Sequence, residues 1–97
     1  MFGPVTCVYR FTKLDEAIAA ANALPMAFQS SIFTEDLRTA MDAAERLAAS
    51  AVMVNDHTAF RADWMPFAGR RQSGYGIGGI PWTMDEMSQE KMIVFRM

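Results

Sequence analysis

Little in this sequence can cross-link the chain or hold a metal. One cysteine, Cys7, excludes an intrachain disulfide and any multi-cysteine metal site. One histidine, His57, has no second ligand at metal spacing. No apolar run approaches the roughly 18 residues that a membrane-spanning helix needs. The first basic residue, Arg10, follows the apolar start instead of preceding it, so no signal peptide is expected. A net charge of -2 leaves no basic footprint for nucleic acid. These absences predict a cytoplasmic protein with neither nucleic acid nor membrane as partner. No repeat, low-complexity tract or linker divides the chain.

What remains is a globular composition: 97 residues, 52% hydrophobic and 21% charged, with both signs mixed. That length fits one domain with one modest core, burying roughly 65% of the unfolded surface. Nine methionines read as filler for that core ahead of the other reading, an adaptable binding surface.

The hydrophobic periods alternate between strand and helix. Val5, Cys7, Tyr9 and Phe11 fall on one face of a first strand, which makes Cys7 a core thiol, not a nucleophile. Thr12-Lys13-Leu14-Asp15 has capping-box spacing and opens a helix running to about Leu24, where Pro25 stops it. Its stripe is Leu14, Ala17, Ile18, Ala21 and Leu24. Phe28 to Phe33 reads as a second strand. Thr34 is the next N-cap candidate, followed by a stripe of Leu37, Ala40, Met41, Ala44, Leu47 and Ala48 ending near Ser50. Ala51-Val52-Met53-Val54 is a continuous apolar run, as in a strand covered on both faces. The order β-α-β-α-β predicts an α/β fold with parallel strands joined by crossovers. Pro81 can start a short helix, and Lys91 to Met97 reads as a last strand.

Between these elements lies a long loop, Val54 to Gly74, carrying Phe60, Trp64, Met65 and Phe67. Loops of that length are usually either functional or disordered, and the apolar anchors argue against disorder. It leaves the carboxyl end of a buried strand, where ligands gather in open parallel sheets. The aromatics either line a pocket or pin the loop to the core. Arg61 can fork a carboxylate or phosphate, or pair with Asp63 or Asp56. His57 is either a ligand contact or a polar loop residue. Gly74-Tyr75-Gly76-Ile77-Gly78-Gly79 has the dinucleotide spacing G-x-G-x-x-G, but no apolar strand precedes it and Pro81 follows at once. It is a tight turn.

Three motifs in order resemble the aldehyde dehydrogenase superfamily. Phe2-Gly3-Pro4-Val5 is similar to the end of its E-x-F-G-P-V motif. Val54-Asn55 with Pro66-Phe67-Ala68-Gly69-Arg70-Arg71-Gln72-Ser73-Gly74 resembles its V-N … P-F-G-G-x-K-x-S-G signature. Ser88-Gln89-Glu90-Lys91-Met92-Ile93 is similar to its terminal T-E-x-K-x-V strand. Departures are Ala68 for glycine, Arg71 for lysine and Ser88-Gln89 for threonine-glutamate.

The resemblance implies that residues 1–97 are a single partial domain, the C-terminal part of the catalytic domain. It implies a variable substrate loop over 55–69 and a C-terminal strand over about 91–97 for oligomerisation. Family members oxidise an aldehyde to an acid with NAD or NADP, through a cysteine nucleophile and a glutamate-activated water. Those groups and the Rossmann half match no part of this chain, so it is expected to be inactive and cofactor-free alone. Phe2 corresponds to an aromatic beside the nicotinamide. Phe67 and Phe60 correspond to tunnel-lining aromatics, while His57, Arg61 and Trp64 fall in the substrate-selecting stretch. Arg61 points to an anionic aldehyde. Expected partners are the aldehyde, further copies of the chain, or the upstream portion of the enzyme. The alternatives are a non-enzymatic oligomerising or binding module, or the C-terminal subunit of a split dehydrogenase.

Overall fold

Parallel pairing at the centre of the chain organises the molecule, seen here in a computed structural model that describes residues 3–97. Strand Gln29–Ile32 (β2) runs parallel to Ala51–Val54 (β3), with Gln29 opposite Ala51 and Ile32 opposite Val54. The crossover between them is helix Leu37–Arg46 (α2). Helix Leu14–Asn22 (α1) precedes them. The expected α/β class and the β2-α2-β3 crossover are both present.

The helix ends correct two expected caps. α1 starts after Lys13, which is extended and makes no side-chain cap, so the capping box at Thr12 does not form. α2 is capped by Asp36, not Thr34: its carboxylate accepts from the Arg38 and Thr39 amides. A carboxylate suits the positive end of the helix better than a hydroxyl does. Thr34 instead accepts from the Asp36 amide at 3.1 Å. The Thr39 hydroxyl, followed by the Thr39 and Arg38 amides, holds the Asp36 carboxyl below its usual pKa.

The core is small: among the described residues only Ile18, Ala40 and Ala43 are buried apolar side chains. Ala43, outside the expected stripe, is fully covered, whereas Leu37 and Met41 face outward. The packed face of α2 therefore carries alanines, which let the helix sit close to the pair β2–β3.

Short elements close the rest. Met26–Ala27 (β1) pairs antiparallel with Arg70–Arg71 (β4), an exchange the periodicity does not signal. Ile80–Glu86 (α3) begins after Gly79, with Pro81 in its first turn as expected.

Two expected strands form no ladder. Among the described residues Val5–Phe11 and 91–97 pair with no other strand and stand exposed, with Val8 86% and Phe95 86% accessible. A strand needs a partner edge, and none is present for these. For the same reason Cys7 is exposed, not a core thiol. Met26, Met41, Met84, Met87, Met92 and Met97 are likewise exposed, not core filler. β3 is only partly covered, and Val54 is exposed.

The surface measures the shortfall. A compact chain of this mass exposes about 5,500 Å², against 8801 Å² here. The radius of gyration, 18.7 Å, exceeds the roughly 12.5 Å of a compact domain this long. Large apolar faces are present without anything covering them. No helix among the described residues is long and apolar enough to cross a membrane.

Candidate functional site

The long loop begins where β3 ends, and Asn55 fixes that end. Its amide donates to the Ile32 carbonyl at 2.8 Å. Its side chain accepts from the Thr34 amide at 2.8 Å and donates to the Thr34 carbonyl at 2.9 Å. Asn55 sits at φ 58°, a left-handed conformation that asparagine tolerates better than most residues. The chain can thus turn sharply out of the sheet while both neighbouring segments stay satisfied.

The far end is tied to the opposite end of β2. Arg71, at φ 55°, donates from Nη1 to the Asn22 and Leu24 carbonyls at 2.7 Å each. These are carbonyls at the end of α1, where a cation also meets the negative end of the helix. The Gln72 amide donates to the Pro25 carbonyl at 3.1 Å, and Ser73 Oγ accepts from the Ala27 amide at 3.0 Å. Arg70 donates to the Ala49 carbonyl at 3.2 Å. Gly69 lets this turn close: a Cβ there would lie 2.5 Å from the Ser73 carbonyl carbon and oxygen. The loop therefore runs back along β2, fastened at both ends.

Between the fastenings, Phe67 exchanges hydrogen bonds with Gly78 at 2.9 and 2.7 Å. Its ring meets Phe28 edge to face, with centroids 5.1 Å apart and planes at 86°. The Arg61 guanidinium lies over the Phe67 ring at 4.8 Å and donates to the Pro66 carbonyl at 3.1 Å. Phe60, Arg61 and Phe67 line one hollow of about 390 Å³ together with Gln29, Thr58 and Ala59. Arg61 also borders a second hollow of about 660 Å³ against α3, lined by Asp63, Thr83, Met84 and Met87 among others. Neither expected ion pair of Arg61, with Asp56 or Asp63, forms among the described residues.

The other candidates stand apart. His57 accepts the Ala59 amide on Nδ1 at 3.1 Å, and its Nε2 lies 3.9 Å from Asp56, an exposed local turn. Trp64 is 72% exposed and borders neither hollow. Phe2 lies outside the described residues. Sequence reasoning missed Phe28 and Gln29. Their segment has a weak strand period, and only the return of the loop brings it to the site.

Gly74–Gly79 is not built as the strand-to-long-helix turn that cradles a dinucleotide phosphate. At the end of Gly74–Gly79 the backbone is taken up by chain packing: Gly78 is bonded to Phe67, and a Cβ on Gly79 would meet the Trp82 ring at 3.0 Å and the Met65 carbonyl at 3.1 Å. The helix that follows has 7 residues. The glycines therefore do not fit that group, and the tight-turn expectation agrees with the structure. No cluster of three or more His, Cys, Asp or Glu side chains able to hold a metal occurs among the described residues.

Comparison with known proteins gives a consistent picture. The aldehyde dehydrogenase family profile matches residues 1–93. Aspartate-semialdehyde dehydrogenase 1 of Pseudomonas canavaninivorans is 45% identical over 92 residues, 95% of this chain and 20% of that protein. The structure of aldehyde dehydrogenase 21 from Physcomitrella patens, in complex with the reaction product succinate, is 36% identical with a TM-score of 0.85, covering 97% of this chain and 20% of that one. The NAD+ complex of an aldehyde dehydrogenase from Bacillus cereus is 31% identical with a TM-score of 0.81, covering 87% and 17%. The chain thus spans about one fifth of the length of the relatives it matches.

Proposed function

The chain belongs to the aldehyde dehydrogenase family, and from that membership we propose that its 55–74 loop forms one wall of an aldehyde-binding site. The reaction would be NAD- or NADP-dependent oxidation of an aldehyde to an acid. The observation that carries this reading is the convergence of Phe60, Phe67 and Arg61 on a single hollow. Apolar walls with one well-placed charge are the usual composition of a small-molecule site. Phe60 and Phe67 exclude water from the aldehyde chain, and Arg61 forks an anionic group at its far end. Aspartate semialdehyde and succinate, named with two of the relatives, both carry carboxylates. His57 and Trp64 belong to the same substrate-selecting stretch and act on its outer rim.

The nicotinamide cofactor supplies the hydride acceptor when bound, and Phe2 stands beside it in the family pattern. Residues 1–97 act as one partial catalytic domain that needs the remaining fold, on the same polypeptide or from a partner. The unpaired segments at Val5–Phe11 and 91–97 favour such a partner. They equally favour a non-enzymatic assembly module or the C-terminal subunit of a split dehydrogenase. A cytoplasmic location suits the single cysteine.

Spectrophotometry of cofactor reduction tests the reading. The purified chain is expected to reduce neither NAD nor NADP with any aldehyde. Mixing it with a dehydrogenase piece that supplies the nucleophile and Rossmann half is expected to restore turnover. Turnover by the chain alone refutes the need for a partner; no turnover after stable co-assembly leaves only the non-enzymatic module.

A further inference from the structure

We infer that Phe28 is a positioning residue for the anion-facing Arg61, an inference that rests on the reading of Arg61 given above. Among the described residues the loop interior makes no long-range hydrogen bond of its own, so something outside it must orient the guanidinium. Phe28 is, among the described residues, the one aromatic from outside the loop that pairs with the Phe67 ring, at 5.1 Å and 86°. Its own backbone is held fast, because its carbonyl accepts from both the amide and the hydroxyl of Ser50 at 2.6 Å each. Ser50 leads directly into β3, so Phe28 is referenced to the parallel pair.

The relay runs from the sheet to Phe28, from Phe28 to Phe67, and from Phe67 to Arg61. An edge-to-face pair fixes the plane of the Phe67 ring. A guanidinium over that ring follows its plane, because the attraction depends on facing the π-cloud. The Pro66 carbonyl takes one guanidinium donor, and the remaining donors are available to fork a carboxylate or sulfonate. Phe28 therefore helps to set substrate charge preference without touching the substrate's anionic group. A leucine there would fill the space but supply no second ring for the perpendicular pair.

Nuclear magnetic resonance of the 97-residue chain tests the relay through the Arg61 Nε–Hε resonance, with succinate as the probe and its neutral diamide as control. In the unaltered chain that resonance is expected away from the random-coil position, shifted by the Phe67 ring, and succinate moves it further while the diamide does not. Phe28→Ala and the bulk-preserving Phe28→Leu are expected to return it toward random coil. They are expected to weaken succinate binding about threefold, the order set by one aromatic contact. Phe28→Tyr, which keeps the ring, is expected to retain both signals. A random-coil resonance in the unaltered chain, or one that neither Phe28→Ala nor Phe28→Leu moves, overturns the relay. Arg61→Ala with unchanged succinate binding overturns the anion reading beneath it, a failure distinct from that of Phe28.

Discussion

The two halves of the long loop are held in different ways. Residues 66–74 bond to distant parts of the chain: Asn22, Leu24, Pro25, Ala27 and Ala49. Among the described residues, 56–65 bond only with one another and with Pro66, through pairs such as Phe60 with His57 and Met65 with Ala62. The first half is part of the fold, and its sequence is fixed by backbone geometry. The second half is carried by the fold, and its residues are free to answer to a ligand. A family can therefore keep one signature and still change substrates.

The largest expected effect breaks the fastened half. Gly69→Ala places a Cβ 2.5 Å from backbone atoms of Ser73, which cannot rotate away as a side chain could. Overpacking against backbone is expected to cost about 3 kcal/mol. Urea denaturation should show this, with lost amide protection at Ala27 and Gln72. Gly74→Ala is the control, since its Cβ meets only Gly69 at 3.7–3.8 Å. It is expected to cost under about 1 kcal/mol. If the two substitutions cost the same, the turn is not closed as described.

A smaller effect is expected at the other fastening. Asn55→Ala removes both side-chain bonds to Thr34 and leaves a non-glycine residue at φ 58°. The bonds are exposed, so the loss is expected near 2 kcal/mol, not more. Asn55→Gly should recover part of it by accepting the backbone angle. The same denaturation experiment decides; a glycine variant no better than alanine would mean that the backbone angle carries no strain.

These contrasts explain what the sequence revealed and what it hid. Helices α1 and α2 could be read from their periodic apolar stripes, and β3 from its continuous apolar run, whereas β2 has only a weak period. The fastened half of the loop could be read only as a resemblance to the family signature, and the bonds that Arg71 and Ser73 make to distant carbonyl and amide groups were not signalled. Val5–Phe11 and 91–97 read as strands, but among the described residues neither meets a partner edge, so both stay unpaired. The choice of Asp36 over Thr34 was hidden because both residue types cap helices. Within the hollow, Phe60, Phe67 and Arg61 were visible as loop residues. Phe28 was not, because its role arises from chain return over a long sequence distance.

The smallest effect is expected in the freely carried half, and it tests the contrast most directly. Trp64 is 72% exposed, and the His57 side chain is 72% exposed with one local acceptor bond. Exposed positions of this kind shift stability by no more than about 0.5 kcal/mol. Trp64→Ala and His57→Ala are therefore each expected to leave the urea midpoint within that range. A tryptophan is the residue whose loss should be felt most if the interior were packed, which makes a null result there informative. A loss above about 1 kcal/mol at either position would place that residue in the fold. The loop would then be fastened along its whole length, and its interior would no longer be free to follow the substrate.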